Sequence, residues 1–157
     1  MWQKIKPYVI SILIALGVGG LSALLTRGNM DVYERIVQPP LAPPMWLFPV
    51  AWGILFVLMG ISSAMVYEQR LYLPAQVSSA LRIYALQLIV NFFWSIIFFN
   101  LQAYWFAFFW LVLLWVLILC MILKFRGIRP IAAYLQIPYL LWVTFAGYLT
   151  LAIAILN

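Results

Sequence analysis

The chain has 157 residues, of which 68% are hydrophobic, 18% aromatic and only 8% charged. A soluble single-core domain carries an apolar share of about one half, so this composition excludes one and points to an integral membrane protein. The formal net charge of +6 has no soluble basic face to occupy, so it reads as membrane topology and contact with anionic lipid, and nucleic-acid binding is not expected.

A helix needs about 20 apolar residues to cross the hydrocarbon core, and a charge at its centre is costly, so charged residues mark where spans end. The first uncharged run, residues 7–26, lies between Lys6 and Arg27 and forms the first span. Lys4 and Lys6 ahead of an apolar stretch also suit a signal peptide. The run is long, rich in glycine and ends in Leu24-Leu25-Thr26-Arg27 without a small-x-small cleavage site, so it reads as a retained helix. Within it Ala15, Gly19 and Ala23 follow a small-xxx-small spacing, which serves either packing inside a bundle or a dimer face.

Residues 27–44 form a loop that closes with two proline pairs, Pro39-Pro40 and Pro43-Pro44. Proline fixes φ and disfavours helix in the residue before it, so the approach is stiff and extended and a helix can start only after Pro44. The second span therefore runs over 45–67, with Trp46 near its mouth and Trp52 inside it. A rigid strap feeding directly into an aromatic membrane helix predicts a capped pocket.

From Ile83 to Leu123 there is no charge, a run about twice the spanning length, and the polar interruption at Asn100 and Gln102 is the natural hairpin. It separates a third span, 79–99, from a fourth, 104–123; the fifth covers 131–155. In the third span Gln87, Asn91, Trp94, Ser95 and Phe98 recur at three- and four-residue spacing and share one helical face. In the fifth, Pro138, Trp142, Phe145, Ala146 and Leu149 do the same, and Pro138 is predicted to bend or loosen the helix. Each stripe alone suits bundle packing, with Asn91 and Gln87 bonding a neighbouring helix and the tryptophans forming interfacial belts. Taken with the strap, the two stripes predict one shared cavity.

Five spans place the termini on opposite sides. Lys4, Lys6, Arg70, Arg82, Lys124, Arg126 and Arg129 fall on the amino-terminal side and only Arg27 and Arg35 on the other, which predicts a cytoplasmic amino terminus and an external carboxyl terminus. There is no Arg- and Ser-rich transit peptide, so a bacterial cytoplasmic membrane is expected rather than an organelle. The chain has no His, a single Cys120, and three acids, Asp31, Glu34 and Glu68, all outside the spans. That inventory excludes the usual His/Cys metal clusters, disulfides and Ser-His-Asp or Cys-His nucleophiles, and no metal is expected. It also argues against a proton- or sodium-coupled pump, which keeps ionisable residues in the membrane.

The segments PPLAPPMWLFPVAW (Pro39 to Trp52) followed by Leu58-Met59-Gly60, ALQLIVNFFWSIIFF (Ala85 to Phe99) and IPYLLWVTFAGYL (Ile137 to Leu149), in this order and at this spacing, resemble the TspO/MBR family. These are the tryptophan-rich sensory proteins, whose animal members are the translocator protein or peripheral benzodiazepine receptor. The resemblance covers essentially the whole chain. It implies an all-α integral membrane protein, one domain over residues 1–157, built as a five-helix bundle that is often dimeric, with a long proline-rich lid over the ligand pocket. It implies binding of tetrapyrroles such as protoporphyrin IX and, in many members, of isoquinoline carboxamides and cholesterol, with no required cofactor.

Carried over residue by residue, the resemblance implies a pocket of Trp52 and Phe56, Asn91 and Trp94, Trp105, and Trp142, Phe145, Ala146 and Leu149, with Pro43 and Pro44 of the lid against the ligand. Arg27 or Arg35 would meet the propionates. Some bacterial members are thought to promote light- and oxygen-dependent porphyrin breakdown, which makes Trp52 and Trp142 the candidate catalytic residues. Porphyrin transport and ligand-gated sensing without turnover are the alternatives. Three departures narrow the resemblance. Thr150 stands where the family usually has Asn, apolar residues around Phe109 replace an acid often seen in the fourth span, and nothing basic follows Tyr148 to complete a cholesterol pattern. The reverse pattern Arg82, Tyr84, Leu86 is of a kind expected by chance, so sterol binding is not expected.

Overall fold

Charges and prolines set where the helices begin and end. The computed structural model describes residues 1–157 and contains no strands. Helix α1 runs Trp2–Thr26 and so starts before the expected boundary: Lys4 and Lys6 sit on its first turns at the polar end, and Pro7 forfeits one backbone bond without ending it. The loop expected over 27–44 is partly coiled, because its first half has no proline. Residues Arg27–Asn29 make a 3-10 turn, α2 covers Val32–Arg35, and only from Ile36 does the chain extend. A turn then forms in which the Ala42 N–H donates to the Pro39 carbonyl at 3.3 Å. Leu41 takes φ 70° in it, a left-handed conformation that favours glycine.

Helix α3, Leu47–Tyr67, begins after the second proline pair, and α4, Pro74–Ser95, carries Pro74 in its first turn, where no N–H is needed. A wider π turn, Ile96–Asn100, continues α4 to the hairpin, where Gln102 has φ 50°. Three consecutive side chains of that turn, Ile97, Phe98 and Phe99, are all buried. Helix α5 spans Tyr104–Arg126, and the last span is broken into α6, Pro130–Tyr134, and α7, Ile137–Leu156. Pro138 accordingly does not bend a continuous helix. It occupies the first turn of α7, and the break falls just ahead of it.

The five long helices are long and apolar enough to cross a membrane, and the protein is an integral membrane protein. Large apolar side chains such as Leu13, Ile54, Phe109 and Leu141 project outward, which suits lipid and not water. Helix α1 packs on α3 and α4, α5 packs on α4 and α7, and aromatic rings join α3 to α7. A cluster of 22 buried residues fills the bundle from Ala15 to Ala146, and a second of 7 lies under the strap, where Val32 and Tyr33 of α2 meet Phe98, Phe99 and Ile153.

Contact between α1 and α3 requires glycine. A Cβ on Gly60 would lie 2.5 Å from the Ile12 Cα and 2.7 Å from its nitrogen, backbone atoms that cannot step aside. Gly19 abuts the Phe56 ring, Ala15 is fully buried and Ala23 faces the interior cavity, so the small-residue stripe is used inside the bundle. Gly60→Ala is expected to destabilise the bundle by about 1–3 kcal/mol through overpacking. Gly17→Ala, where no atom lies within 4 Å of the added Cβ, should be neutral or stabilising. Thermal unfolding in detergent separates the two, and equal melting temperatures would contradict the close approach.

Candidate functional site

Beneath the strap, α1, α3, α4 and α7 diverge around a cavity of about 130 Å³. Each wall has its own character. Helix α1 contributes the small face Gly19, Ser22, Ala23 and Thr26, which leaves room. Helix α3 contributes Phe48, Pro49, Trp52 and Phe56, and α4 with its π turn contributes Asn91, Trp94, Ser95, Phe98 and Phe99. Ala146, Leu149, Thr150 and Ile153 of α7 complete the ring, and Met30 and Tyr33 of the strap close it from above. Helix α5 contributes nothing.

The aromatic groups form a connected frame. Trp52 lies 5.7 Å from Phe56 and meets Trp142 edge-on at 6.4 Å, with an interplanar angle of 89°. Phe48 meets Trp142 at 6.0 Å, and across the cavity Trp94 stacks on Phe98 at 5.3 Å. Such a frame presents ring faces and edges to a flat π-system, each good pair adding about 0.5–1.5 kcal/mol beyond area burial.

The polar groups of the lining are mostly committed. Ser22 Oγ donates to the Phe92 carbonyl at 3.0 Å and is also hydrogen-bonded to the Ser95 hydroxyl, which leaves Ser95 as the donor of that pair. Thr26 Oγ1 donates to the Ser22 carbonyl at 2.9 Å, and Thr150 Oγ1 to the Ala146 carbonyl at 2.7 Å. The hydroxyls therefore offer lone pairs but no free protons. At the floor, Asn91 Nδ2 donates to the Tyr139 hydroxyl at 2.6 Å, which donates to Gln87 Oε1 at 2.7 Å. Asn91 keeps its oxygen and one N–H for a ligand. No charged side chain lines the cavity. In the strap, burial pushes the Tyr33 phenol above its ordinary pKa, so it stays protonated at neutral pH and donates to the Pro43 carbonyl at 2.7 Å.

Six of the pocket residues implied by the family resemblance line this one cavity, Trp52, Phe56, Asn91, Trp94, Ala146 and Leu149, and so do Ser95 and Phe98 of the third-span stripe. Trp142 and Phe145 stand behind it, Trp142 against Trp52 and Phe48, and Phe145 against Trp142 at 5.7 Å. Pro43 and Pro44 do not line it; Pro43 reaches it through Tyr33. Trp105, 52% exposed at the start of α5, points away from it. Neither Arg27 nor Arg35 enters, and Arg35 pairs with Asp31 at 3.6 Å on the surface. Sequence reading missed the contribution of α1, of Tyr33, and of Thr150 and Ile153. The signals were present: Ser22 and Thr26 continue the small face of Gly19 at helical spacing, and Ile153 extends the Ala146, Leu149 stripe.

This arrangement defines a polytopic α-helical membrane protein with an uncharged, aromatic internal cavity under a proline strap. The profile of the TspO/MBR family matches residues 10–156, and the chain belongs to that family. It is 36% identical to the tryptophan-rich protein TspO of Chlorobaculum tepidum over 94% of this chain and 92% of that one. It is 33% identical to the translocator protein of Bos taurus over 88% and 82%, respectively. A tryptophan-rich sensory protein of Cereibacter sphaeroides is 28% identical over 87% of this chain and 83% of its own.

Tyr139→Phe removes the hydroxyl that joins Asn91 to Gln87. It is expected to lower stability by about 1–2 kcal/mol, the scale of hydrogen bonds between membrane helices. Unfolding in a denaturing detergent series measures the loss, and an unchanged midpoint would show that the pair is satisfied in another way.

Proposed function

We propose that this protein is a membrane receptor for flat, largely apolar ligands of the tetrapyrrole class, with protoporphyrin IX as its representative, and that isoquinoline carboxamides enter the same cavity. The observation that carries the reading is the uncharged aromatic cavity with a single half-free carboxamide, Asn91, at its floor. Stacking supplies affinity there, and Asn91 supplies orientation. Propionates belong at the strap end, where Arg27 directly follows the lining residue Thr26. The basic residues of the other end, among them Arg70, Arg126 and Arg129, favour a cytoplasmic amino terminus in a bacterial cytoplasmic membrane.

Titration of detergent-purified protein with protoporphyrin IX in darkness, followed by tryptophan quenching, tests the reading. Saturable quenching is expected in wild type. Ala146→Phe, which places a ring where a methyl now lines the cavity, should weaken binding about tenfold or more, equivalent to about 1.4 kcal/mol. Unsaturable quenching in wild type would overturn the proposal.

The perpendicular Trp52 and Trp142 pair favours a second reading, in which illuminated porphyrin is oxidised by dioxygen beside two oxidisable indoles. Under light and oxygen the porphyrin band of the wild-type complex is then expected to fade, and to persist in the Trp52→Phe, Trp142→Phe double variant. A band equally stable in wild type and variant would leave binding alone.

A further inference from the structure

The strap is fastened to the far end of α7 by side chains. The Tyr148 hydroxyl donates to the Pro40 carbonyl at 2.6 Å. Asn157, immediately after α7, uses its carboxamide as a strand would use a peptide group. The Val37 N–H donates to its Oδ1 at 3.1 Å, and its Nδ2 donates back to the Val37 carbonyl at 3.0 Å. A further bond from Nδ2 to the Ile153 carbonyl, at 3.0 Å, fixes the carboxamide against its own helix. The two fastenings grip residues 37 and 40, midway between the strap's roots. One root is tied where Asn29 Nδ2 donates to Asn100 Oδ1 at 2.8 Å; the other runs through Pro43-Pro44 into α3.

The fastenings and the roots differ in kind. The bonds from Tyr148 and Asn157 to the strap lie on the outside of the bundle, whereas the Tyr33 bond to Pro43 is buried and travels with the strap. Beside the fastened carbonyl of Pro40, Leu41 is held at φ 70° with its side chain 81% exposed, strain that a released strap can relieve. With the strap fastened the cavity measures about 130 Å³, below the about 300–1,000 Å³ of sites that enclose a drug-sized ligand. A macrocycle therefore fits only after the strap or the walls move.

We infer that Tyr148 and Asn157 are positioning residues that latch the strap across the cavity mouth and govern how fast a ligand enters and leaves. The inference rests on the ligand-binding reading above, but the latch can be read without a ligand. Ala146→Cys in a Cys120→Ala background places one thiol in the cavity, and its modification by a water-soluble methanethiosulfonate reports opening. Adding Asn157→Ala is expected to speed modification about tenfold and adding Tyr148→Phe, which removes only a hydroxyl, about fivefold, the scale of one or two net hydrogen bonds. Matching melting temperatures establish that the variants are folded.

With the native cavity, stopped-flow quenching by protoporphyrin IX in the dark should show association and dissociation rates rising together in both variants while the Kd moves little. Unchanged thiol modification in folded variants would overturn the latch, as would saturable porphyrin binding with unchanged rates. Faster modification together with unsaturable porphyrin binding in wild type would support the latch and reject the tetrapyrrole ligand.

Discussion

The structure hangs on one buried chain of hydrogen bonds, from Asn91 through the Tyr139 hydroxyl to Gln87. In lipid no water is at hand to satisfy a stray amide or phenol, which gives weight to each bond between side chains at this depth, and these three groups meet across the seam between α4 and α7. Each bond is modest in energy. Their effect is geometric, because two partners on α4 four residues apart hold one phenol on α7 and so set both the rotation and the height of the two helices. Above that seam Ala146 and the small face of α1 leave space. Below it, Met59, Leu114, Ile118 and Phe125 close the interior completely.

The cavity that results selects by shape more than by charge. Its hydroxyl protons are taken up by backbone carbonyls and by a serine pair, which removes most of the donor chemistry that would reward a small polar solute. What remains is ring surface, a few lone pairs, part of one carboxamide and the unpartnered indole N–H of Trp94. The proposed ligand, wide, flat and apolar at its centre, would meet ring surface there and keep its charge at the strap end.

Much of the fold was legible because lipid imposes a coarse rule: charges cannot stay inside, so Lys6, Arg27, Glu68 and Arg129 bracket the spans. Local geometry was harder. The prolines forecast an extended chain only where they stand, so the coil over Val32–Arg35 went unread, and nothing in periodicity announces a π turn that turns Ile97, Phe98 and Phe99 inward together. In the site, the stripes on α4 and α7 were visible as shared faces. A face about a third of a helix wide has two edges, however, and only one meets the cavity: Ala146 and Leu149 line it while Trp142 and Phe145 support it from behind. Helix α1 was overlooked as a wall because small residues signal close packing and open space with the same letters. Gly19 and Ser22 do both.

One helix stands apart from all of this. Because α5 meets the cavity nowhere and packs behind its walls, against α4 with its π turn and α7, it is an outer post of the bundle. Its outward side, with Phe106, Phe109 and Leu113, is thereby released from any demand made by the cavity. Substitutions there meet the thickness and composition of the bilayer and leave the lining of the chamber untouched.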